Sequence, residues 1–154
     1  MADNTLRVLE RVFSRDAASL PHYLLDARPW VDQSDPLDRE AYELVTRIAA
    51  EEDRWLEKLA ELIEARGGVP IPAPYPTHYT DTHYLAVDAL VPRLVQHQQA
   101  NIEQLQQDLD AVSEDAEARN LLAHMLEEKQ KQLAELRTLL ERVRQHAATP
   151  EGTG

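Results

Sequence analysis

Apolar side chains recur three and four residues apart along nearly the whole chain, the spacing that lines one face of an α-helix. From Asn4 to Arg28 the stripe is Leu6, Leu9, Phe13, Ala17, Leu20 and Leu24, which predicts a first helix. Pro21 lies inside it and should bend it, unless a new helical turn begins there; Pro29 ends it. Asp35 followed by Pro36 reads as a cap with proline at the first helical position. The second helix then buries Ala41, Leu44, Ile48, Trp55, Leu59 and Leu62, and stops at Arg66-Gly67-Gly68.

The segment GGVPIPAPYPTHYTD, from Gly67 to Asp81, carries four of the nine prolines and is expected to be an extended, non-helical connector. At ~3.1 Å per residue it spans ~45 Å, the length of a thirty-residue helix, so it can return along the whole bundle, with Val69 and Ile71 packing against the helices. A third helix runs from about Thr82 to Val112, with Val87, Leu90, Leu94, Ile102, Leu105 and Leu109 inward and a bend at Pro92. Ser113 reads as the cap of a fourth helix whose inner face is Leu122, Leu126, Leu133, Leu136, Leu140 and Val143. The pattern therefore predicts an all-α fold: one four-helix bundle over residues 1–148 with a single long crossover between helices two and three, and a flexible tail over 149–154.

Polar residues lying on the apolar seams are the informative ones, because an unpaired polar group in a bundle core is costly. Asp16 sits between Phe13 and Leu20, and Glu52 between Ile48 and Trp55, at nearly equal distances from the first loop. Gln98 interrupts the third seam, and Lys129 and Gln132 interrupt the fourth, again at matching distances from the second loop. Each hairpin thus brings a polar level to mid-bundle, where helical bundles place cofactors and metals. Two readings of helix four remain open: Lys129 and Gln132 face inward, or Glu128 and Lys131 do, with Glu127 and Lys131 otherwise an exposed i, i+4 pair. Asp16, Glu52 and Gln98 could also sit at the edge of their seams and reach water.

Charge and composition narrow the function. With 28 acidic and 16 basic residues the net charge is −12, which repels phosphate backbones and anionic membranes and argues against nucleic-acid partners. Without cysteine there is no disulfide, thiol chemistry or thiolate metal site, and a reducing cytoplasmic setting is expected. No apolar run approaches the ~18 residues of a membrane span. Among the six histidines, His97 and His124 lie on adjacent helices without clearly sharing a face. His78, Asp81 and His83 cluster where helix three starts, as an anchor for the crossover or a secondary metal candidate.

Four segments carry a family resemblance. DAASLPHYLLDAR resembles the first helix of bacterioferritin-type proteins, with Asp16 at the glutamate position and Tyr23 seven residues on. AAEEDRWLEKLAELIEARGGVP is similar to their second helix, placing Glu52 and Trp55 at its Glu-x-x-His motif ahead of the glycine exit. HQQANIEQL resembles the helix with a single ligand glutamate, here Gln98, and RNLLAHMLEEKQKQLAEL resembles the second Glu-x-x-His helix, with Lys129 and Gln132 at the ligand positions.

This resemblance to the ferritin-like superfamily, of bacterioferritin and rubrerythrin type, implies a fold that holds two iron ions between about four carboxylates and two imidazoles. The departures from that pattern imply the reverse. Trp55 offers a metal no lone pair and would fill the cavity, Gln98 and Gln132 are neutral, and Lys129 brings a positive charge that can pair with Asp16 and Glu52. The expectation is a degenerate di-iron site with no catalytic residue and no cofactor, in a homo-oligomer, dimeric in the simplest case. Such a bundle would act by association, with Trp30, Tyr75, Tyr79 and Tyr84 as exposed aromatic candidates. The alternative is an iron-binding ferroxidase or storage protein with an unconventional site on Asp16 and Glu52.

Overall fold

A computed structural model describes residues 2–27, 31–32 and 34–148, without the side chains of residues 2, 3, 83, 84, 87 and 148. Trp30, Gln33 and the tail 149–154 lie outside the described residues. The order is α1 (Ala2–Ala17), α2 (Leu20–Asp26), α3 (Pro36–Ala65), a 3-10 helix (Thr77–Tyr84), α4 (Val87–Ala111) and α5 (Ala116–Ala148). The helices α1 and α2 together make the first arm of a four-helix bundle.

That first arm is not one bent helix. It breaks at Ala18 and restarts at Leu20, with Pro21 in the first turn and the Ser19 hydroxyl accepting the His22 backbone N–H at 3.4 Å. Proline interrupts a helix because it lacks a donor, and within the first turn that loss costs nothing, so the chain resolves the conflict by opening a new helix. At the far end of the second arm the expected stop is present. Gly67 takes φ +84°, a conformation that suits glycine, and the Gly68 N–H closes back on the Ile63 carbonyl at 2.9 Å. The cap of α5 is Asp115 rather than Ser113: its carboxylate accepts the Ala118 N–H at 3.1 Å and pairs with Arg66.

The crossover traverses the bundle from end to end. Near its start Gly68 approaches Leu6, and the Val69 N–H donates to Glu10. Midway the Ala73 N–H donates to the Ser14 carbonyl at 3.2 Å, and later the Tyr75 hydroxyl donates to Asp26 at 2.6 Å. These partners advance along α1 and α2 in order, so α4 begins at the end where α3 began. Three details differ from expectation. Val69 and Ile71 are 60% and 61% exposed, so hydrogen bonds to the first arm hold the strap where apolar contacts were expected. Its last part is a 3-10 helix, stabilised by Thr80 and Thr82 hydroxyls that donate to the Thr77 and Tyr79 carbonyls. Consequently α4 starts at Val87, not Thr82.

The core is divided in two. One cluster joins Leu20, Leu24, Ile48, Leu94, Leu136 and Leu140 at the end where α3 and α4 begin. The other joins Leu9, Val12, Leu59, Ile63, Leu105 and Leu122 at the opposite end. Between them lies a level of buried polar side chains.

Candidate functional site

Every arm of the bundle sends a polar group to that level: Asp16 from the last turn of α1, Glu52 from α3, Gln98 from α4, Lys129 and Gln132 from α5, none more than 5% exposed. On α5 it is Lys129 and Gln132 that turn inward, while Lys131 is exposed and Glu128 half-buried. Lys129 Nζ lies 3.3 Å from Asp16 Oδ2 and 3.6 Å from Glu52 Oε2. Burial alone would pull the lysine down, yet Asp16 and Glu52 overcome it and hold the ammonium above its ordinary pKa. Burial pushes the Glu52 carboxyl up, against the opposing pull of Lys129. Arg15 Nε approaches the other Asp16 oxygen, Oδ1, at 3.9 Å, so the triad's surplus negative charge has a cation at its edge.

The glutamines are committed elsewhere. The Gln98 amide donates to the Lys129 carbonyl at 3.0 Å and to Gln132 Oε1 at 2.9 Å, and Gln132 in turn donates to Glu51 Oε2 at 3.4 Å. Glu51, 8% exposed, is also held by Arg47 at 2.8 Å. The neighbouring Glu128 carboxyl is pushed up because it hydrogen-bonds to the Glu51 carboxylate. Glu51 is a residue that reasoning from the seams passed over, since its burial depends on cross-helix partners.

From the triad a hydrogen-bonded chain leads outward. Ser19 donates to Glu52 Oε1 at 3.2 Å, Ser19 Oγ lies 2.8 Å from His22 Nδ1, and His22 Nε2 lies 2.7 Å from the exposed Asp53. Ser19 and His22 also escaped the sequence reading, although a serine two residues before a proline is a capping signal. Ser19 is fully buried, so no substrate can reach its hydroxyl.

Trp55 stands at the rim rather than inside. It is half-buried, stacks on His124 at 6.2 Å between ring centroids, and carries the Lys58 ammonium 4.7 Å above its ring. With Met125 and the triad it encloses a space of about 10 Å³, no more than one water's worth. Tyr23 is buried among aromatic rings, with Tyr75 at 5.2 Å and Tyr79 at 5.4 Å.

The remaining candidates do not converge. His124 is occupied with Trp55, while His97, on α4, is half-buried, accepting the Leu20 N–H at 3.3 Å and meeting the Tyr79 hydroxyl at 3.4 Å. His78 and Asp81 are exposed on the 3-10 helix, and the His83 side chain lies outside the described set. Tyr79, expected at the surface, is 7% exposed. Among the described residues no three histidine, aspartate or glutamate side chains are grouped to hold a metal ion. At mid-bundle two carboxylates share an ammonium, and two amides bond to one another.

Comparison with known proteins identifies the architecture. A family model described as Ferritin: Ferritin-like domain matches residues 21–146. The fold is similar to the X-ray structure of the Desulfovibrio desulfuricans bacterioferritin, which is described with its diiron site in different catalytic states. The TM-score is 0.67 with 21% sequence identity, over 99% of this chain and 92% of that chain. The comparison with curated proteins gives no match.

Proposed function

Because the chain belongs to the ferritin-like family, matched over residues 21–146, we propose that its mid-bundle level is organised by an internal ammonium in place of a pair of metal ions. On this reading it is a non-catalytic bundle that acts through association with itself or with another protein.

The observation that carries the reading is the position of Lys129 Nζ, 3.3 Å and 3.6 Å from two buried carboxylates. A divalent ion entering here would have to displace a cation that those carboxylates already hold in a site of low dielectric. The positions that the sequence resemblance matches to the family's other ligands carry a tryptophan and two amides, a poor donor set for iron or manganese. Purified protein supplied with ferrous iron, manganese or zinc is expected to take up none of them stoichiometrically at mid-bundle, and to oxidise ferrous iron no faster than buffer does. Tight stoichiometric uptake with ferrous oxidation would overturn this reading and favour the ferroxidase or storage alternative on Asp16 and Glu52.

Self-association is the accompanying proposal, with a dimer as the simplest form. The strap presents Val69 and Ile71 to solvent with Tyr75 beside them, apolar surface that a second copy could cover. Light scattering at micromolar concentration is expected to give a mass above that of the 17.5 kDa chain; a monomer mass would count against it. We place the protein in the cytoplasm without nucleic-acid or membrane partners. The net charge of −12 supports this, and among the described residues no helix is long and apolar enough to cross a membrane.

A further inference from the structure

The break between α1 and α2 leaves an open cleft of about 600 Å³, roofed by the 3-10 helix and floored by the middle of α4. Its polar lining includes Arg15, His78, Arg93, Gln96, Asn101 and Gln104, and among the described residues no carboxylate lines it. In a chain with a net charge of −12 that concentration of cations and neutral donors is out of keeping with the rest of the surface. Arg93 is exposed and makes no ion pair among the described residues. The other arginine is half engaged: Arg15 Nε donates to Asn101 Oδ1 at 3.0 Å, and one of its terminal nitrogens pairs with Asp108 at 2.8 Å.

The Arg15 bond fixes which way the Asn101 amide faces, with its oxygen toward the guanidinium. Its nitrogen, in a side chain only 3% exposed, is left as a donor without a partner. A buried donor in that condition is destabilising by ~1–3 kcal/mol, and an acceptor oxygen is what relieves it. His97 also lines the cleft, but its ring accepts the Leu20 N–H.

The geometry points to a binding site for a small organic oxyanion, a metabolite bearing a phosphate or carboxylate group. Arg93 supplies the charge at the mouth, with the His78 ring beside it, and Arg15 supplies a guanidinium at the floor next to the Asn101 amide. The volume suits a ligand of metabolite size, and guanidinium forks match both head groups. Nothing in this assignment depends on whether the mid-bundle level binds metal.

The test is a titration followed by NMR, with inorganic phosphate, citrate and ribose 5-phosphate as separate probes and ionic strength held constant with chloride. At least one probe should bind saturably and shift the side-chain amide signals of Asn101; which one binds distinguishes a free phosphate, a polycarboxylate and a sugar phosphate. Arg93→Gln should weaken that binding about tenfold, while Arg144→Gln, on an exposed part of α5, should leave it unchanged. The assignment is overturned if no probe saturates at millimolar concentration, if the shifts map away from Asn101, or if Arg93→Gln binds as the parent does.

Discussion

Replacing Lys129 by methionine is expected to destabilise the fold by ~3 kcal/mol, read as a lowered urea midpoint with little change in slope. The side chain fits in volume, so the loss is electrostatic. Asp16 and Glu52, 2% and 5% exposed, would be left facing each other without the ammonium now 3.3 Å and 3.6 Å away. Isolated buried charges cost far more than paired ones, and the usual escape is to take up a proton. The triple variant Asp16→Asn, Glu52→Gln, Lys129→Met should therefore recover most of the loss, because the three groups are one network and their effects do not add. A triple variant no more stable than the single one would show that the lysine matters for shape rather than for charge.

Acid is expected to weaken the protein by up to about 3 kcal/mol as pH falls from 6.5 to 4, through His97. Burial, then the charge on Lys129, holds this imidazole down to about 4 in the folded chain; Arg15 and His78 act in the same sense and Asp16 opposes them. A folded pKa below the unfolded one means that the unfolded chain binds the proton first. The contribution is whole above 6.5 and is lost as pH drops toward 4. Glu52 works in the opposite direction: its raised carboxyl favours the folded state once protonated, and offsets part of the loss near the acid end. His97→Gln should flatten stability between pH 6.5 and 4 in denaturant titrations. An unchanged acid slope in that variant would remove His97 from the account.

The sequence discloses the bundle because its signals are local and agree with one another. Two glycines mark the start of the crossover and four prolines fill its first half, and the leucine stripes keep one period for thirty residues at a time. The polar level is legible for the same reason: Asp16, Glu52, Gln98, Lys129 and Gln132 interrupt stripes that are otherwise apolar. What escapes is whatever needs a partner from elsewhere in the chain. Asp108 is 3% exposed only because Arg11 and Arg15, on another helix, cover it at 2.8 Å. Pro21 allowed either a bend or a restart, and the choice rests on Ser19 finding both His22 and Glu52. The 3-10 helix is invisible because its threonines make a short-range turn inside a segment whose prolines argue for extended chain. The cleft is assembled from three separated segments, none of which carries a recognisable motif.

The division of the core has a consequence for how the arms are aligned. Leucine packs against leucine almost equally well after a helix slides by one turn, about 5.4 Å, so two purely apolar halves would tolerate several alignments. The polar level removes that freedom. Were α5 to slip by one turn toward either cluster, Lys129 would leave both carboxylates and enter a wall of aliphatic side chains, while the Gln98 amide would lose its two acceptors on α5 together. Asp16, Glu52, Gln98 and Lys129 thus act as a key cut across all four arms, admitting one longitudinal setting of the helices.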